Sequence, residues 1–281
     1  SLRNFSSMKK LLALFAALAL WTCSNDPKPS TPEIEIEETD ASTAVVIEEL
    51  RHTKKNLDEA VIFYGLLYSK GYNYKQNILL SHQHETSSKQ EEALAMGAFG
   101  ADMSFASVFG QNIDAKQYGL RIAELAQEMG LGQSFTNDLM QQIASDDSSL
   151  NKTHIISMAY LDASDQLHSE ERGHYVALMI TGGWIEGLLI STSLVLDKPG
   201  DREINLDIFD QIYNYHTAVK VLEAFESHEH CEGLLKQLRE DEPFFKELLR
   251  TRGNLGRRDL EDLDAMMLKL RNGFLSIEAE E

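Results

Sequence analysis

Gly173-His174-Tyr175-Val176-Ala177-Leu178-Met179-Ile180-Thr181-Gly182-Gly183-Trp184-Ile185-Glu186-Gly187-Leu188-Leu189-Ile190-Ser191-Thr192-Ser193-Leu194-Val195-Leu196 decides the fold. Wound as a helix, this stretch is apolar on every side. Such a helix belongs either in a membrane or at the centre of a bundle. Glu186, Thr181 and the glycines at 182, 183 and 187 make it a poor membrane span. A buried core helix is therefore expected. A second stretch, roughly Glu91 to Gln111, has the same character and includes Met96-Gly97-Ala98-Phe99-Gly100-Ala101-Asp102.

Each interior glycine costs a helix about 0.8–1 kcal/mol relative to alanine, so a cluster of them marks close backbone approach. Gly183 and Gly187 lie four apart on one face, as do Gly97 and Ala101. The two apolar helices are expected to cross through these small faces. Each also carries one carboxylate, Asp102 and Glu186. A buried carboxylate has to be paired, hydrogen-bonded or protonated. A shared buried polar or binding site built from Asp102 and Glu186, with Trp184 lining a pocket, is the candidate site.

Outward from these two segments, apolar residues recur at helical spacing. Stripes run through Val46, Leu50, Leu57, Val61, Tyr64 and Tyr68, and through Tyr118, Ile122, Leu125 and Met129, closed by Gly130. Others use Phe135, Leu139 and Ile143; Ile155, Met158 and Asp162; Ile208, Ile212, Tyr215, Val219 and Leu222; and Leu260, Leu263, Met267 and Leu270. No alternating β-branched run appears. The expected fold is all-α, a multi-helix bundle with two central apolar helices. Residues 41–281 should form one helical domain, since about 240 residues suffice for a core without disulfides. No repeat of 30–40 residues emerges, which argues against a solenoid.

The N-terminal region reads differently. Met8-Lys9-Lys10 is a basic start, Leu11 to Trp21 an unbroken apolar run, and Cys23 follows. That is the layout of a lipoprotein signal peptide (1–22, with 1–7 read as an upstream extension) ahead of a lipidated cysteine. Leu20-Trp21-Thr22 departs from the small residues usual before such a cysteine. Ser24 to Asp40 holds three of the five prolines and the run Glu33-Ile34-Glu35-Ile36-Glu37-Glu38, so residues 23–40 read as a disordered acidic tether. The expected location is the outer membrane, with the domain periplasm-facing or surface-exposed and the lipid anchor its membrane partner.

With 26 basic and 45 acidic residues, the chain has a formal charge of −19, and loss of residues 1–22 deepens it to −22. A surface so acidic repels nucleic acid. An envelope protein or a small ligand remains as the partner class.

Gly100-Ala101-Asp102, Gly182-Gly183-Trp184-Ile185-Glu186-Gly187, Asn77-Ile78-Leu79 and the lipoprotein start resemble a family of uncharacterised all-helical lipoproteins of Bacteroidota. The resemblance covers about Glu48 to Leu196. It implies an envelope location and a helical fold, and supplies no activity.

One enzymatic chemistry competes. Dinuclear metal sites in bundles take a Glu-x-x-His pair from each of two helices and single carboxylates from two others. Glu49-x-x-His52 and Glu171-x-x-His174 match that spacing, with Asp102 and Glu186 as partners. Their contexts are wrong: Ser169-Glu170-Glu171-Arg172 reads as a capped, solvated helix start, and Glu49 and His52 lie among Glu48, Arg51, Lys54 and Lys55. His228-Glu229-His230-Cys231 reads as a solvated turn with a half-buried thiol, its donors diverging. The expectation is thus a non-enzymatic binding or scaffolding module without a cofactor.

Overall fold

The computed structural model describes residues 61–145 and 152–277. The signal peptide, Cys23, the tether, Glu49 and His52 lie outside the described residues. A helix over residues 61–69 (α1) leads into a 3-10 turn, Gln76–Ile78. There follow α2 (Lys89–Val108), α3 (Asn112–Glu128), α4 (Asn137–Ala144), α5 (Lys152–Ser169), α6 (Gly173–Val195), α7 (Arg202–Tyr213), α8 (Tyr215–Glu223), α9 (Glu229–Arg250) and α10 (Arg257–Phe274). Among the described residues there is no strand, and the fold is an all-α bundle.

The two apolar helices, α2 and α6, form its centre and pack on each other more extensively than any other pair. Their backbones touch at Gly97 and Gly182. A Cβ at Gly97 would stand 2.0 Å from the Met179 carbonyl oxygen, and one at Gly182 would stand 2.1 Å from that of Leu94. Gly183 is next in, 3.3 Å from the Gly97 carbonyl oxygen, whereas Gly187 would meet nothing closer than the Tyr64 hydroxyl at 3.7 Å. The crossing was expected between small faces; its tightest points are Gly97 and Gly182. Around this pair α3 packs on α2, α10 on α6, and α5 on both, while α7, α8 and α9 cover the rest of α6.

Local signals place the surrounding helices. Ser88 caps α2 by accepting a hydrogen bond from the Glu91 N–H. Gly130 ends α3 in the left-handed conformation (φ 78°), and Leu131 N–H reaches back to Ala126 O at 2.7 Å. That is a Schellman cap closed by the buried Leu131.

Several stripes are corrected. On α5 the buried face is Ile156, Ala159, Ala163 and Leu167, with Met158 turned to solvent. On α1 the buried residues are Phe63, Tyr64 and Leu67, and Tyr68 is exposed. The long Ile208–Leu222 stripe breaks at Asn214 into α7 and α8 without changing its buried side. Ser169-Glu170-Glu171-Arg172 is solvated and leads into α6 with Arg172 at its N-cap, but no side chain caps that helix. The segment is also the turn that ends α5, with Glu171 at φ 58° and Arg172 N–H bonded to Leu167 O at 2.7 Å.

Candidate functional site

One turn beyond the crossing, α2 and α6 bring Asp102 and Glu186 together, both wholly buried. Arg271, from α10, donates through Nη1 to Glu186 Oε1 at 3.0 Å and to the Ile78 carbonyl at 2.8 Å. Tyr118 donates to the Leu80 carbonyl at 2.9 Å beside the two carboxyls. Burial first, and the neighbouring Glu186 second, push the Asp102 carboxyl well above its ordinary range. Glu186 is also raised by burial, against the pull of Arg271. Both oxygens of Asp102 and Oε2 of Glu186 lack a conventional donor. A proton on Asp102, donated to Glu186, supplies one. The pair then carries a single negative charge, balanced by Arg271, and the buried network is neutral overall.

Aromatic residues seal this network. Tyr64 packs edge-on to Phe105 at 5.4 Å between ring centroids, and Tyr74 stacks on the same ring at 5.1 Å while donating to Asp114 at 2.7 Å. The Tyr64 and Tyr118 hydroxyls are pushed far above their usual range by burial and then by Asp102. The carboxyls therefore reach no solvent.

Trp184 does not join them. Two residues along a helix is about 200° of rotation, so Trp184 and Glu186 face nearly opposite ways. Trp184 instead donates to the Gln211 carbonyl at 3.0 Å and borders a cavity of about 630 Å³. Its inner wall is the second small face of the central helices: Gly100, Ala101 and Ser104 from α2, Gly183 and Gly187 from α6. Apolar side chains of α1, α5 and α6 flank this wall, and Asp207, Asp210 and Gln211 of α7 stand at one side. Asp102 and Glu186 do not line the cavity. Gly187 and Ala101 were read as crossing residues, yet both border this chamber. The signal was present in the sequence as small residues on more than one face.

His174 is far from the carboxyls, twelve residues before Glu186 on one helix, or about 18 Å along its axis. It stacks on His228 at 3.7 Å between centroids and lies 5.9 Å from His230, so α6 and α9 meet there through imidazoles. Burial, then His228, His230 and Arg172, lower His174 to about 4. Glu171 is exposed in the preceding turn. The Glu171–His174 pair thus does not converge with Asp102 and Glu186, and among the described residues no group of three or more side chains is arranged to hold a metal. The reading of His228 to Cys231 as a loose turn is also corrected. His228 caps α9, His228 and His230 both turn to His174, and Cys231 is fully buried, its thiol raised by burial to about 12. Such a thiol is inert.

No protein-family model, curated protein or solved structure matches this chain.

Proposed function

We propose that this chain is an envelope lipoprotein whose helical domain is a non-enzymatic binding module, seating an apolar ligand in the cavity between α1, α2, α5, α6 and α7. One observation carries the reading: a chamber of about 630 Å³ with small residues for a wall and apolar side chains around it. Ligand sites are commonly about 300–1,000 Å³, mostly apolar, with few polar groups that orient the guest. The buried carboxyl pair supports binding over catalysis, because it does not line the chamber and has no route to a reacting atom. Cys23 and the acidic segment after it support placement at the outer membrane, with the domain periplasm-facing or surface-exposed.

Titration of the purified chain with the neutral apolar dye Nile red tests the reading. Saturable one-to-one binding is expected, weakened at least about tenfold by Gly187→Leu, which fills the chamber from a position with open space. Binding that never saturates, or that ignores Gly187→Leu, would overturn it.

A further inference from the structure

We propose that the ligand carries a cationic head, an amine or alkylammonium on an apolar body, and that Asp207 and Asp210 hold this head at the mouth of the cavity. The proposal deepens the cavity-binding reading and rests on it. Asp207 and Asp210 lie three apart on α7, hence on one face, and both border the chamber. Among the described residues no lysine or arginine borders it. Neither carboxylate has a hydrogen bond or ion pair with a described residue. The nearby cation, Lys70, is already committed to Asp201 at 2.7 Å and Glu203 at 2.8 Å.

Asp207 is half-buried, and burial, Asp210 and Glu203 all disfavour its charge. A cation placed there offsets the repulsion from Asp210 and Glu203, whereas an anionic head would add to it. Trp184 and the exposed Tyr213 also border the chamber and offer ring faces that attract a cation. Deeper in the wall, Tyr64 is 1% exposed, and its hydroxyl has no hydrogen-bond partner among the described residues. It lies beside Gly187 and is free to bond a polar atom of the guest.

The experiment measures displacement of Nile red from the full chain by decylamine, decanol and decanoate, each below its micelle concentration. These share one chain length and differ in head charge. Decylamine is expected to bind at least about tenfold more tightly than decanol, with decanoate weakest. Asp207→Asn with Asp210→Asn should bring decylamine to the level of decanol and leave decanol unchanged. Asp138→Asn with Asp262→Asn makes the same change in charge on α4 and α10 and should leave the preference intact. Equal affinity for amine and alcohol, or equal loss in the control pair, overturns the cationic head while the cavity reading stands. Displacement by none of the three, with Nile red itself failing to saturate, removes both.

Discussion

Gly182 has no room for a side chain, because the Leu94 carbonyl oxygen stands 2.1 Å from where its Cβ would sit. The obstacle is backbone in the middle of a helix, which cannot rotate away. The same holds at Gly97 against Met179 O.

Gly182→Ala and Gly97→Ala are therefore expected to destabilise the domain by about 3 kcal/mol each, despite the better helix propensity of alanine. Gly187→Ala, whose Cβ would meet only the Tyr64 hydroxyl at 3.7 Å, should be neutral or slightly stabilising. Urea unfolding of the three variants separates the cases. Equal stability across them would place the close crossing elsewhere.

The carboxyl network predicts an asymmetry. Burial and the neighbouring Glu186 favour the protonated form of Asp102, so Asp102→Asn, which places a neutral group of the same shape there, should change stability by less than about 1 kcal/mol at pH 7. Arg271→Met leaves Glu186 buried without its partner and should cost about 3–5 kcal/mol. That cost should shrink as the pH falls and Glu186 takes up a proton. If Asp102→Asn proves the more damaging change, the proton is placed on the wrong carboxyl.

His174 sets an acid limit. Its folded pKa of about 4 lies below the ordinary value of 6.5, so folding favours the neutral ring. The contribution is complete above pH 6.5 and is lost as the pH falls from 6.5 towards 4. Allowing for the half-exposed His228 and His230, the loss should be on the order of 1 kcal/mol. Thermal unfolding between pH 4 and 7 should show it, and His174→Phe should flatten that part of the profile. A profile untouched by the substitution would assign the acid sensitivity to other groups.

Cys23→Ala should move the protein from the membrane fraction to the soluble one when cells are fractionated. Retention in the membrane would remove the lipid anchor from the proposed function.

The central pair of helices was legible because nothing on Gly173–Leu196 offers a polar face, and no amphipathic arrangement suits such a helix. The burial of Asp102 and Glu186 followed from the same fact. Their partner was not legible: Arg271 is 85 residues from Glu186, on a helix whose own periodicity says only that Leu260, Leu263, Met267 and Leu270 face inwards. Trp184 was grouped with Glu186 by nearness in sequence, although the helical turn sends the two apart. The imidazole cluster was hidden similarly, since His174 and His228 meet only because the N-terminal ends of α6 and α9 come together in the fold. Glycine roles were half legible. Small size marks contact or space, and only the crossing angle decides which glycine gets which.

Arg271 has one more consequence, which concerns time. Synthesis delivers Asp102 and Glu186 well before α10, and at about 5–20 residues per second the 85 residues from Glu186 to Arg271 take roughly 4–17 s. Throughout that interval the core helices have no cation to balance their remaining charge. A chain that ends early, through a stalled ribosome or a frameshift ahead of α10, never acquires one. The unbalanced carboxylate disfavours closure of the core, so a fragment cut before α10 should be more open to proteases than a chain that carries Arg271.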